Sequence, residues 1–406
     1  MPSTLPEGEP APADGALLPQ ALAELGRRPF GIYLHVPFCV TRCGYCDFNT
    51  YTAAELGPGV TRESWADTAI AELRLARRVL GNTDVPVASV FFGGGTPTVL
   101  PAADLGRVLR TVDALFGLAP DAEVTTEANP ETVDARSLAQ LRAAGCTRIS
   151  LGMQSSSPHV LAVLDRVHTP GRAVQAVTEA RRAGFEHVNV DLIYGAPGES
   201  LGDWRVSVQT AIGAGPDHVS AYALIVEPGT RLAARVRRGE LAMPDDDTQA
   251  DKYLLADDLL TSAGFGWYEI SNWAASEAAR CRHNTLYWTS ADWWGVGPGA
   301  HSHVGGIRWW NVKHPAAWAG RLAAGQSPAQ ARELVDRTTR RDERVLLETR
   351  LVEGLDVAVL DDAGRAATNA LAADGLLERD RLEAGRLVLT RRGRLLADAV
   401  VRDLVA

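Results

Sequence analysis

The run YLHVPFCVTRCGYCDF, residues 33–48, places three of the chain's five cysteines, Cys39, Cys43 and Cys46, in a loop directly behind a short apolar stretch. An apolar run that ends in a ligand-rich loop reads as a strand delivering its C-terminal end to a site. Working outward, the same rhythm recurs. Apolar runs begin with GIYLHV at 31, VASVFF at 87, AEVTTEANP at 122, RISLGMQS at 148, HVNVDLIYG at 187 and HVSAYALIV at 218. Between them lie segments with apolar residues at helical spacing, such as ESWADTAIAELRLARRVL and GRAVQAVTEARRAG. Gly145 and Gly184 stop two such helices just before the next strand. Strands alternating with helices require a parallel sheet, because parallel neighbours need a crossover connection. Six units before residue 230 fall short of the eight of a closed barrel. The expected fold is therefore α/β, an open (β/α)6 partial TIM barrel, with the strand C-terminal ends lining one face.

The remaining segments differ in character. Residues 1–28, rich in Pro, Gly, Glu and Ala, read as a disordered tail, and 29–235 as the β/α core. Residues 236–325 contain Trp-, Gly- and His-rich stretches (GFGWYEISNWAA, RCRHNTLYW, DWWGVGPGAHSHVGGIRWWN) and read as a segment completing the barrel. Residues 326–406 read as helix, two short strands and helix, a small winged-helix-like α+β domain. Its interspersed charges (ERDRLEAGR) favour a packing lobe over DNA binding. A composition of 46% hydrophobic and 22% charged residues suits an ordinary globular protein. A net charge of −9 argues against nucleic acid as a partner. No apolar run is long enough for a transmembrane segment and no secretory leader is visible, so a cytoplasmic location is expected.

Cys39-x3-Cys43-x2-Cys46 is one thiolate short of the four that a cubane iron–sulfur cluster usually takes, which leaves one iron open to an outside ligand. A structural zinc site would need a fourth ligand, which only the nearby His35 offers. Cys146 and Cys281 stand alone and read as packed thiols. The other strand ends carry FFGGGTPT, with Gly93, Gly94 and Gly95 suited to close backbone approach to a ligand. They also carry Glu127, Gln154 and Asp191, with Arg166 nearby as a carboxylate partner.

The CxxxCxxC loop, with an aromatic before its last cysteine, resembles the radical S-adenosylmethionine (SAM) superfamily. That resemblance implies a [4Fe-4S] cluster whose open iron holds SAM. With FFGGGTPT, EANPET, RISLGMQS and VDLIYGAPGE, the chain from about Gly31 onward is similar to the oxygen-independent coproporphyrinogen III oxidase (HemN) family. By that similarity Cys39, Cys43 and Cys46 hold the cluster. Tyr33, Tyr45, Gly94, Gly95, Thr96, Glu127, Gln154, Arg166, Asp191 and Ala223 contact SAM. Two departures stand out. Phe48 occupies the place of the oxidase's further cysteine, and the oxidase's longer N-terminal extension is missing. Both resemble the HemW branch, regarded as haem chaperones, as does RCRHNTLYW, which is similar to that branch's HNxxYW motif.

The resemblance implies haem as ligand and an acceptor haem protein as partner, with respiratory haem proteins among the candidates. It leaves room for a homodimer and for peripheral membrane contact. His283, flanked by Tyr287 and Trp288, is the first candidate for haem ligation, with His301 and His303 as rivals. His301, in GVGPGAH, equally suits the barrel mouth. Two other readings stay open: a porphyrinogen-decarboxylating enzyme, and a zinc-stabilised interaction protein.

Overall fold

The computed structural model describes residues 6–53, 55–56, 61–166 and 168–406. Six parallel strands run side by side in chain order: β1 (Phe30–Val36), β2 (Val87–Gly94), β3 (Leu118–Ala128), β4 (Arg148–Gln154), β5 (His187–Tyr194) and β6 (His218–Ala223). Helices follow them, among them Arg62–Leu80, Ala102–Phe116, Ala135–Ala143, Arg172–Arg182 and Leu201–Gly213. The alternation expected from the apolar runs is therefore present, strand for strand.

The segment after residue 236 extends both edges of this sheet. Asp292–Val296 pairs parallel with β1, followed outward by antiparallel His301–Val304, Ile307–Asn311, Ala329–Leu334 and Glu9–Pro10. At the other edge Asn272–Ala274 and Gly266–Glu269 pair antiparallel beside β6. The two ends of the sheet, Glu9–Pro10 and Gly266–Glu269, do not pair with each other, so the barrel is open.

Residues 6–28 are not the tail that their composition suggested. Glu9–Pro10 forms the outermost strand, and helix Pro19–Glu24 with Leu25 seats Ala21 and Leu25 in the core. Sparse apolar residues suffice there because an existing sheet edge offers both hydrogen bonds and apolar surface. The first five residues lie outside the described set.

Side-chain alternation along the strands gives the molecule its inside and outside. Ile32, Leu34, Val90, Phe92, Ile149, Leu151, Val188, Val190 and Val219 are fully buried against the outer helices. The opposite, lumen-facing positions hold Tyr33, His35, Ser89, Phe91, Glu123, Glu127, Arg148, Ser150, Asn189, Asp191, His218 and Ser220. The C-terminal lobe has its own apolar cluster, including Val345, Leu355, Leu371, Leu387, Val400 and Leu404. Its two-stranded sheet pairs Leu355–Asp356 with Arg386–Leu387, and Arg394 ties it to Asp257 of the core at 3.0 Å.

Candidate functional site

The cysteine loop leaves β1 at Pro37 and returns at Tyr51, whose N–H donates to the Pro37 carbonyl at 2.7 Å. Cys39 N–H donates back to the Tyr51 carbonyl at 3.0 Å, closing the loop. Thr50 and Thr96 bond the Cys39 thiol, and Arg166 Nη1 lies 3.2 Å from Cys43 Sγ. Burial pushes the Cys46 thiol up to about 11 and raises Cys39 as well. Iron held here would supply the positive charge that lets the Cys39 and Cys46 thiols ionise, so the donor set fits a metal–sulfur group. Among the described residues, no three His, Cys, Asp or Glu side chains converge on one point as a single metal ion requires. His35 is engaged on both ring nitrogens, with Tyr33 OH at 3.0 Å and the Asn49 carbonyl at 2.9 Å, and so offers no fourth ligand for zinc.

Gly94, the last residue of β2, and Gly95, just past it, allow a close approach within the protein itself. A Cβ on Gly94, whose φ is +111°, would lie 2.5 Å from the His35 ring. One on Gly95 would lie 2.4 Å from the Phe38 carbonyl. The close neighbour is thus the start of the cysteine loop itself, held by Gly95 N–H to the Val36 carbonyl at 2.7 Å and Thr96 N–H to the Phe38 carbonyl at 2.8 Å.

Beside this loop two acids, Glu127 and Asp191, sit half-buried at neighbouring strand ends. Glu127 accepts the Gly94 N–H at 2.9 Å. Desolvation, reinforced by the nearby Asp191, pushes its carboxyl up to about 8. Burial also raises Asp191. Neither carboxyl forms an ion pair among the described residues, although Arg148 acts on Asp191 from a distance, and such a pair suits a positively charged ligand; SAM carries both an ammonium and a sulfonium. Arg166 completes this face: besides Cys43 it reaches the Gly152 carbonyl at 3.2 Å and His168 at 2.8 Å. Gln154 adopts φ +66° at the irregular end of β4, beside Gly152. Tyr45 packs among Leu164, Ile193, Leu224 and Leu232, within electrostatic reach of Asp191 and Arg166. Ala223 pairs with Tyr194 at the end of β6. The strand-end residues singled out in the sequence therefore gather around one mouth.

The HNxxYW helix, Arg282–Trp288, is elsewhere. It sits in the lumen, where His283 faces Gly31 and Ser89, one strand repeat of roughly 7 Å beneath the Tyr33–Phe91 pair. His283 is 1% exposed, with Nδ1 bonded to Ser89 Oγ at 2.8 Å and Nε2 to Tyr287 OH at 2.9 Å. Its ring stacks on Phe91 at 5.0 Å. Trp288 bonds Glu269. His283 thus has no free nitrogen for a metal in this arrangement, as in an ordinary hydrogen-bonded core histidine. His303 gives Nδ1 to the Ala291 carbonyl at 2.8 Å. His301 differs: its ring stacks on Trp310 at 5.8 Å, and its buried Nε2 has no hydrogen-bond partner among the described residues.

Two groups of polar residues went unnoticed in the sequence. Glu123 accepts the N–H groups of Arg282 and His283, both at 3.1 Å, and stands 3.7 Å from the buried Arg148. Asn49 Nδ2 ties the cysteine loop to the carbonyls of Pro298 and Lys313 at 3.0 and 2.8 Å. For Glu123 the available signal was the polar alternation Glu123, Thr125, Glu127 along one strand. A parallel sheet covered on both faces is normally apolar throughout.

An open β/α sheet with three thiols behind its first strand and half-buried acids at the neighbouring strand ends defines a radical SAM protein, and residues 33–211 match the radical SAM superfamily. The chain is 56% identical over 385 residues to Heme chaperone HemW of Mycobacterium tuberculosis, covering 95% of this chain and 97% of that one. It is 36% identical over 309 residues to Heme chaperone HemW of Escherichia coli, covering 75% and 79%. The chain belongs to the HemW family. In fold it resembles the solved coproporphyrinogen III oxidase HemN of Escherichia coli, with a TM-score of 0.80 at 22% identity, over 95% of this chain and 92% of that one.

Proposed function

We propose that this protein binds haem and passes it to an acceptor haem protein, while its barrel mouth holds a [4Fe-4S] cluster and SAM. The observation that carries the reading is the near full-length match to a relative named as a heme chaperone, extending through the HNxxYW helix and the His301 strand. Cys39, Cys43 and Cys46 would hold the cluster; Glu127 and Asp191 would face the positive charges of SAM, and Arg166 its carboxylate. Such a cofactor pair supplies one-electron cleavage of a sulfonium. The chain's own residues bind, orient and balance charge.

His301 is the better candidate for the haem ligand. A buried imidazole nitrogen lacking a partner is expensive unless something occupies it, whereas His283 would first have to break two hydrogen bonds. Burial lowers His301 to about 4, so the ring is neutral and its lone pair available. The second reading, porphyrinogen decarboxylation, is disfavoured by Phe48, 42% exposed, at the place of the oxidase's further cysteine.

The test is anaerobic reconstitution followed by two assays. Haem transfer to an apo-haem protein such as apomyoglobin, without conversion of coproporphyrinogen III in the presence of SAM and reductant, supports the proposal. Formation of protoporphyrinogen IX would restore the oxidase. A colourless protein carrying zinc and no iron would establish the interaction-protein reading instead.

A further inference from the structure

Beneath the mouth, a chain of hydrogen bonds runs through the lumen in one direction only. The Asn189 carbonyl oxygen beside His218 can only accept, so Nε2 of the neutral ring takes the proton of Tyr268 OH, 2.7 Å away, while Tyr268 OH accepts the N–H of Cys281 at 3.2 Å. That leaves the imidazole proton on Nδ1, which donates to Asn189 Oδ1 at 2.6 Å. The amide is thereby oriented, and its Nδ2 donates to Asp191 Oδ1 at 2.7 Å. Ser150, bonded by the same amide at 2.7 Å, donates to Asp191 Oδ2 at 2.6 Å. His218, Asn189, Ser150 and Tyr268 are buried, so water is kept from the chain as far as the half-buried Asp191.

We infer that Asn189 and His218 are positioning residues for Asp191, holding its carboxylate aimed at the ligand through an amide whose orientation His218 fixes. The inference rests on the proposed contact between Asp191 and SAM. Without the imidazole donor, Asn189 Oδ1 keeps only the long contact from Ser220 Oγ at 3.4 Å, which weakens the hold against a turn that would set its carbonyl against the carboxylate. A side chain that restores an N–H at the Nδ1 position should restore the arrangement. Asparagine does so, because its amide nitrogen superimposes on Nδ1, whereas the longer glutamine places its amide nearer Nε2.

The experiment is SAM titration of the anaerobically reconstituted, reduced protein, read by the change in the cluster's electron paramagnetic resonance signal. Thermal melting and iron content serve as fold controls. His218→Leu should weaken SAM binding roughly tenfold, the scale of a lost hydrogen bond to a charged group. His218→Asn should stay within about threefold of wild type, which is under half that loss in free energy. If His218→Leu does not fold, tighter binding by His218→Asn than by His218→Gln carries the same support. Equal weakening in His218→Leu and His218→Asn would mean a merely structural role and overturn the inference. So would wild-type affinity in His218→Leu while Asp191→Ala is weakened. Wild-type affinity in Asp191→Ala would overturn the SAM contact itself, and the inference with it.

Discussion

The mouth and the floor of the barrel are built from the same residue types and balanced in opposite ways. At the mouth, Glu127, Asp191, Cys39 and Cys46 are desolvated enough that their charged forms are penalised. At the floor, Glu123 takes two backbone N–H groups and faces Arg148, while His218 has both nitrogens satisfied. Buried polar groups are costly unless partnered. The mouth's acids have hydrogen bonds but no ion pair among the described residues, so a cationic ligand can complete their charge balance, whereas Glu123 at the floor already faces Arg148. The HNxxYW helix belongs to this shut floor.

The comparison can be broken at several points. The largest effect belongs to the thiols. Replacing Cys39, Cys43 or Cys46 by Ala should cut bound iron after reconstitution beyond the roughly 10–100-fold scale of outer-shell losses, while urea unfolding of the iron-free protein changes little. A Cys variant with normal iron would show that the loop is not the cluster site.

Next, Glu123→Ala at the floor strands the buried Arg148 and two helix N–H groups. It should cost about 3–5 kcal/mol in urea denaturation. A loss below about 1 kcal/mol would mean the floor is not held by this pairing.

A smaller, pH-dependent effect is expected at Glu127. Its folded value, near 8 against an ordinary 4.5, means that the folded state holds the proton more tightly than the unfolded one. Ligand-free stability attributable to Glu127 therefore falls as pH rises from about 4.5 to about 8. Uptake of cationic SAM must displace that proton, so affinity should climb with pH up to about 8. Glu127→Gln should bind about tenfold more weakly at pH 8, with the pH slope flattened. An unchanged slope would remove Glu127 from the site. Smallest is Phe48→Ala: the half-exposed ring should contribute within about 0.5 kcal/mol to stability, measured by the same denaturation.

Much of the mouth was legible in the sequence, because strands that end in Cys, Gly and Glu announce themselves by local pattern. The three thiols, the six strands and the acids at their ends all follow from short stretches. The floor was not legible in that way. His283 beside Tyr287 and Trp288 looks like a ligand until Ser89, 194 positions away, is seen on its ring. Residues 6–28 looked disordered because the edge they complete, Ala329–Leu334, lies more than three hundred residues downstream. Local composition carries no trace of such partners. The chain Tyr268–His218–Asn189 likewise draws on three distant segments, although the alternation of polar residues in β5 and β6 marked two of its members.

The most direct test of the contrast between a ligand-ready region and a shut one is a haem titration of the reconstituted protein, followed by the Soret band. Wild type, His301→Ala and His283→Ala are compared. Saturable one-to-one binding is expected in wild type, shifted and weakened about tenfold or more in His301→Ala. It should be retained by His283→Ala, whose penalty should appear instead as lost thermal stability. Loss of the Soret shift in His283→Ala, with His301→Ala indistinguishable from wild type, would contradict the account and place haem in the region described here as closed.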